Sequence, residues 1–152
     1  MGIHPHALFV YLHEVDHAKG EGTMPVHGIR GATTAHANTR AAILAATQEL
    51  LAALIAANSL RAADIASIFF TITPDLDAAF PAMAVRALGW HHVAALDAQA
   101  PPVPGDVPRC IRVLIHWNSD QVDPQVRHVY LRDARRLRPD RAGDTGQEEG
   151  LW

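Results

Sequence analysis

The sequence has few of the residues on which several kinds of chemistry depend. It has one cysteine, Cys110, which excludes an internal disulfide, and its 13 basic residues include a single lysine, Lys19. Cys110 lies inside an apolar run, a position that favours a small buried hydrophobe over a reactive thiol. Chemistry that requires a lysine Schiff base therefore has no candidate after residue 19.

The chain also has little net charge and no long apolar run. The formal net charge is -3 and the pI is about 6.3, so we expect neither nucleic acid nor an anionic membrane as a partner. No apolar run approaches the roughly 18 residues of a membrane span, and the N-terminus lacks the basic and then apolar pattern of a signal peptide. These absences predict a cytoplasmic protein with small-molecule or protein partners.

The length indicates one domain with a tail at each end. A chain of 152 residues, 49% of them hydrophobic, can bury one core but is short for two domains. Residues 1–25 mix apolar residues with histidines, and Gly20 and Gly22 interrupt any helix there, so we predict a flexible extension. The folded domain is predicted over 26–140 and a disordered acidic tail over 141–152.

Hydrophobic periodicity predicts an interleaving of strands and helices. Strands are predicted over 27–34, 65–73, 93–97, 110–117 and 126–131. A long helix is expected after an N-cap at Asn38, with apolar positions at the helical period at 43, 44, 50, 51, 54 and 55. Pro81 suits a first helical turn, which predicts a short helix over 81–88.

This order of elements predicts the fold class. We expect an α/β or α+β sandwich in which helices cover one face of a mixed sheet. The strand over 65–73 is apolar at nearly every position, so it should be a central strand. Because the strands are too apolar to leave the other face in water, we predict that sheets from several copies pack together.

The segment over 13–17, HEVDH, matches the zinc-hydrolase pattern H-E-x-x-H, in which two histidines hold a metal and the glutamate activates water. The extended pattern requires a third histidine where this chain has Thr23, and His27 is out of register. The motif also precedes the predicted domain. We therefore expect no catalytic zinc, while adventitious metal binding stays open for His4, His6, His13 and His17.

Five segments, in a fixed order and spacing, carry a resemblance to a known family. They are GIRGATT (28–34), TPDLDAAFPA (73–82), PRCIRVLIHWN (108–118), RHVYL (127–131) and LRPD (137–140). Together, over about 27–140, they resemble the AroH-class chorismate mutases. The resemblance implies a homotrimer with a barrel-like core of sheets and active sites in clefts between subunits. It also implies an isomerase that converts chorismate to prephenate in phenylalanine and tyrosine biosynthesis, with no metal or cofactor.

The reaction accounts for the arginines that the resemblance assigns to the site. Chorismate is a dianion, and its ether oxygen gains negative charge as the bond to the ring breaks. Such a site needs fixed cations and hydrogen-bond donors, and arginine binds oxyanions bidentately while staying charged. By resemblance, Arg112 would address the ether oxygen, while Arg30 and Tyr130 would hold the side-chain carboxylate.

The resemblance assigns the rest of the cleft to two other parts of the chain. Phe80, Ala82 and Arg86 would come from the adjoining subunit. Leu137 and Arg138 would belong to a C-terminal segment that closes over the substrate. Without the resemblance, Arg86 would be read as part of a solvated helix face.

The sequence departs from the family pattern at two places. Met83 stands where a lysine commonly follows F-P-A. The family also usually has a cysteine and, three residues later, a glutamate, where this chain has Asp97 and Ala100. By resemblance, that glutamate contacts the substrate and the arginine corresponding to Arg112. We hypothesise that Asp97 takes over this role; the alternative is that Asp97 only ends a strand and that catalysis is impaired.

Two other functions remain open at this stage. A non-catalytic trimer that binds a carboxylate ligand would keep Arg30 and Arg112 but tolerate the missing glutamate. A trimeric imine deaminase would also use an arginine for a carboxylate, but the segments TPDLDAAFP and LRPD do not suit that group.

Overall fold

Five strands form one mixed sheet in the computed structural model, which describes residues 24–121 and 123–140. They are β1 (Val26–Thr34), β2 (Ile65–Ile72), β3 (Ala94–Gln99), β4 (Cys110–Asn118) and β5 (Val129–Tyr130). Their order is β3-β2-β4-β1-β5, in which β4 pairs antiparallel with β1 and β2, while β3 and β5 are parallel to their neighbours. The HEVDH segment and the acidic tail lie outside the described residues.

The long helix α1 (Arg40–Asn58) begins one residue later than predicted. Thr39, not Asn38, is the N-cap, because its Oγ1 accepts a hydrogen bond from the Ala42 N–H at 3.2 Å. The Asn38 side chain instead accepts hydrogen bonds from the N–H groups of Asp77 and Ala78, both at 3.1 Å. Asn38 thus ties the start of α1 to the loop after β2.

The buried stripe of α1 packs directly on β1. A Cβ placed on Gly31 would lie 2.8 Å from Leu54 Cδ1 and 3.2 Å from Leu50 Cδ1, so only a glycine fits this close approach. Among the described residues, α1 is the one helix long and apolar enough to cross a membrane. Its packing on the sheet accounts for that composition.

The second helix, α2 (Met83–Ala87), is shorter than the predicted 81–88 and packs beside α1. Both helices cover one face of the sheet, as predicted, and their core includes Phe70, Ile111 and Ile115, all fully buried. Of the strand predicted over 126–131, only the two residues of β5 pair, and a 3-10 helix over Arg132–Leu137 follows it. The 3-10 helix was not predicted.

The opposite face of the sheet carries an apolar row. Leu96, Phe69 and Leu114 are register partners on three adjacent strands, and the charged residue Arg30 is the next partner, on β1. Leu96 is 62% exposed, and Phe69 and Leu114 are half-buried. This face therefore combines apolar residues with polar ones such as Arg112 and Thr71; the packing of several copies on it stays a prediction.

Candidate active site

Arg112 lies in the middle of β4, on the face of the sheet opposite the helices. Its register partners are Ala32 on β1 and Thr71 on β2. Residues alternate along the strand, so Ile111 and Val113 are buried towards the helices while Arg112 is half-buried on the other side. The predicted alternation over 110–117 is confirmed, and it directs the arginine away from the core.

The Arg112 side chain borders a cavity of about 480 Å³. Thr71, Gln99 and Ala100 line one part of the cavity, and the loop 101–106 lines the rest. The volume falls in the range of small-molecule sites, roughly 300 to 1,000 Å³. A cation at the edge of such a cavity suits a small anionic ligand.

Arg112 has a carboxylate partner that the sequence reasoning missed. Its Nη2 donates to Asp106 Oδ1 at 2.5 Å. The hydrogen bond from Arg112 holds the pKa of Asp106 below its usual value, so the carboxyl stays ionised. Burial acts to lower the pKa of Arg112, but its hydrogen bond to Asp106 and the charge of that carboxylate help to raise it above its usual value. The one sequence signal was an acidic residue in the Pro-Gly turn before β4.

Tyr130 lies close to Arg112 on the same face. Ala32 is the register partner of Tyr130 on one side and of Arg112 on the other, so the three residues form a row across β5, β1 and β4. The Tyr130 hydroxyl is buried and has no hydrogen-bond partner among the described residues. A buried hydroxyl without a partner is uncommon and marks Tyr130 as a group able to bind a ligand. Arg30 lies on this face, two residues before Ala32.

The segment after β5 places Leu137 and Arg138 near Tyr130. Leu137 and Tyr130 both pack against a small buried cluster that includes Ala32 and Ala134. Arg138 is paired with Asp140 through two hydrogen bonds, at 3.0 Å and 2.8 Å, and that contact raises the pKa of Arg138. The structure therefore brings Arg112, Tyr130 and Leu137 to one side of the sheet, while Arg138 has its own partner.

Asp97 lies on the other face. Its register partner on β2 is Phe70, which pairs with Val113 on β4, and both of these are core residues facing the helices. Asp97 Oδ1 accepts a hydrogen bond from the Ala82 N–H at 2.9 Å. Burial raises the pKa of Asp97, against the opposing effect of that hydrogen bond. Within one chain, Asp97 and Arg112 lie on opposite faces of the sheet. The hypothesised role of Asp97 therefore requires a contact between subunits and stays a prediction.

The residues predicted for the adjoining subunit's wall lie together with Asp97. Phe80, Ala82, Arg86 and Asp97 line a second cavity, of about 370 Å³. Phe80 is 68% exposed there, an unusual position for a large apolar ring. Met83, which replaces the usual lysine, also lines this cavity, and its Sδ accepts a hydrogen bond from Arg40 Nη1 at 3.3 Å. The predicted site thus divides into two groups on separate surfaces of the chain.

Other candidate chemistry in the described part of the chain has little support. Residues 24–121 and 123–140 contain no cluster of three or more histidine, cysteine, aspartate or glutamate side chains able to hold a metal ion. Cys110 is fully buried, as predicted, and burial raises the pKa of its thiol to about 11. The thiol is therefore protonated at neutral pH and unreactive.

Comparisons with known proteins agree on one family. The chorismate mutase type I family model matches residues 26–141. The chain is 52% identical over 116 residues to chorismate mutase AroH of Thermus thermophilus, covering 76% of this chain and 95% of that protein. It is 42% identical over 118 residues to chorismate mutase AroH of Bacillus subtilis (strain 168), covering 77% and 93%.

A solved structure gives the same result at the level of the fold. A chorismate mutase from Clostridium thermocellum superposes with a TM-score of 0.70 at 47% sequence identity, covering 73% of this chain and 99% of that chain. The fold, the order of the site residues and the sequence similarity agree, and the chain belongs to the chorismate mutase type I family.

Proposed function

We propose that this protein is a chorismate mutase, an isomerase that converts chorismate to prephenate in aromatic amino acid biosynthesis. The observation that carries the proposal is the position of Arg112. This half-buried cation borders a ligand-sized cavity, and only β1 separates its strand from that of Tyr130, whose hydroxyl has no partner among the described residues. The Thermus and Bacillus relatives, matched over nearly their whole lengths, are chorismate mutases.

The reaction suits a site of this composition. One carbon–oxygen bond breaks and one carbon–carbon bond forms within the same molecule, so no nucleophile, cofactor or proton transfer is needed. Arg112 stabilises the negative charge that develops on the ether oxygen, and Arg30 and Tyr130 hold a substrate carboxylate. Catalysis then consists of holding a compact conformer and meeting the developing charge with fixed donors.

The separation of the site residues supports a homotrimer. Arg112 and Tyr130 occupy one surface of the chain, while Phe80, Ala82 and Arg86 line a cavity on another. A second copy placed against the row of Leu96, Phe69 and Leu114 would bury apolar surface and bring the two groups together. Leu137 and Arg138 complete the cleft. The protein acts in the cytoplasm.

Loss of the diene absorbance of chorismate tests the proposal directly. The wild-type protein should consume chorismate, whereas Arg112→Ala and Arg112→Lys should lower kcat by about 100-fold or more, the usual cost of removing a donor to developing negative charge. The melting temperature should change little, because Arg112 is not a core residue. Full turnover by both variants would remove Arg112 from the mechanism.

The main alternative is a carboxylate-binding protein of the same fold without catalysis. The replacement of the usual glutamate by Ala100 favours it. Calorimetric binding of chorismate with no turnover by the wild-type protein would support this alternative over the proposed function.

A further inference from the structure

Asp106 holds the arginine on which the proposed function depends. The Asp106 and Arg112 side chains are 20% and 28% exposed, and both border the 480 Å³ cavity. Among the residues that the structure describes, the Asp106 carboxylate is the one hydrogen-bond acceptor of the Arg112 guanidinium. Nη2 is engaged, while Nε and Nη1 are left for a ligand.

The loop that carries Asp106 is itself fixed. Asp106 Oδ1 accepts a hydrogen bond from the Val107 N–H at 2.8 Å, and the Asp106 N–H bonds the Val103 carbonyl at 3.2 Å. Gly105, with φ of +80°, makes the turn possible, and Val107 is buried below it. The prolines of the loop further restrict its backbone. The loop therefore holds the Asp106 carboxylate in position to bind Arg112.

Ala100 lines the same cavity, and its small side chain leaves room there for the Asp106 carboxylate. It is 7% exposed and lines the cavity together with Arg112. The sequence carries this alanine where a glutamate is usual, and Asp106 supplies a carboxylate from the far end of the same loop. Asp97, which lies on the opposite face and bonds Ala82, cannot do so within one chain.

We infer that Asp106 is the positioning residue for Arg112 and compensates for the absence of a carboxylate at position 100. This inference rests on the proposed function. Asp106 fixes one edge of the guanidinium, so that the remaining donors meet the ether oxygen. It does so at a cost in ground-state binding, because a carboxylate beside the cavity repels a dianionic substrate.

The expected kinetic signature separates positioning from structural support. Asp106→Ser keeps an acceptor for the Val107 N–H but is too short to reach Arg112, and Asp106→Asn removes only the charge. We expect kcat to fall up to about 100-fold in Asp106→Ser and less in Asp106→Asn. KM should stay equal or fall in both variants, because a negative charge has been removed from a site for a dianion. A structural defect would instead raise KM.

A second-site variant provides the rescue. Ala100→Glu in the Asp106→Ser background returns a carboxylate to the cavity and should recover most of the lost kcat. Asp64→Asn is the matched control, because Asp64 forms a 2.7 Å ion pair with Arg61 away from the cavity; its kcat should equal that of the wild type. If Asp106→Ser does not fold, the kcat and KM of Asp106→Asn decide the question.

The assay also separates failure of this inference from failure of the proposed function. No turnover by the wild-type protein would overturn the proposed function. Wild-type turnover with unchanged kcat in both Asp106 variants would overturn only the positioning role. A higher kcat in either variant would overturn it as well, because Asp106 would then compete with the substrate for Arg112.

Discussion

The side chain of Asn58, the last residue of α1, forms hydrogen bonds with both backbone groups of Arg127, 69 residues further along the chain. Its Nδ2 donates to the Arg127 carbonyl at 2.8 Å, and its Oδ1 accepts from the Arg127 N–H at 2.7 Å. Asn58 is 8% exposed, so these bonds are partly shielded from solvent. The end of α1 therefore fixes the segment that leads into β5 and Tyr130.

Replacement of Asn58 by alanine should affect both stability and activity. The N–H and carbonyl groups of Arg127 each lose a partly buried hydrogen bond, which should lower the free energy of unfolding by about 1–3 kcal/mol. Chorismate turnover should also fall, because Tyr130 follows three residues later on a less constrained segment. Urea denaturation and the diene assay measure these effects. Gln48→Ala, at an exposed position of the same helix, is the control and should change neither quantity.

Gly31 and Gly28 offer a matched test of the contact between α1 and β1. Gly31→Ala places a methyl group 2.8 Å from Leu54 Cδ1 and 3.1 Å from Val113 Cγ1, both in the core. Overpacking of this kind should lower the free energy of unfolding by about 1–3 kcal/mol. At Gly28, on the opposite face, the added Cβ meets only Leu114 Cδ1 at 3.5 Å, so Gly28→Ala should cost less. Equal losses would show that the helix does not limit the space at Gly31.

The sequence predicted the elements whose faces are set by periodicity. The alternation of apolar and polar residues predicted which side of β4 is buried, and apolar residues at the helical period predicted α1. In each case the pattern arises because one face of a single element is apolar. The same reasoning failed for residues 126–131, where alternation is present but only Val129 and Tyr130 find a partner strand. Pairing depends on the neighbouring strand, which local pattern does not describe.

The sequence predicted only the part of the candidate site that lies in recognisable motifs. Arg112, Arg30 and Tyr130 were identified through resemblance, and the register of three strands places them on one face. The carboxylate was assigned to Asp97 from its position along the chain. The face on which it lies depends on its register with Phe70, and the contact between Asp106 and Arg112 depends on how a loop folds back. Neither relationship leaves a periodic signal.

Removal of residues 1–23 should leave catalysis intact. The family match covers 26–141, and β1 begins at Val26. A chain that begins at Met24 should therefore have the kcat and KM of the full-length protein within about twofold, and a chelator should not change the rate of either form. A large loss of turnover in the shorter chain would assign a function to residues 1–23, and a loss on addition of the chelator would assign it to a metal.

The charge of Asp97 should affect the pH dependence of stability, which the variant Asp97→Asn can test. Burial raises the pKa of Asp97, so the folded protein binds its proton more tightly than the unfolded chain does. The contribution of this carboxyl to stability is therefore most favourable below its unfolded pKa and falls as the pH rises through the folded value. Asp97→Asn keeps an acceptor for the Ala82 N–H and removes a partly buried charge. At pH 7 the variant should be at least as stable as the wild type in urea, and the difference should shrink towards about pH 3, where Asp97 is protonated. A variant that is less stable at pH 7 would mean that the charge itself has a partner.

In the chorismate assay, unchanged turnover of Asp97→Asn would remove this carboxylate from the mechanism and leave Asp106 as the partner of Arg112.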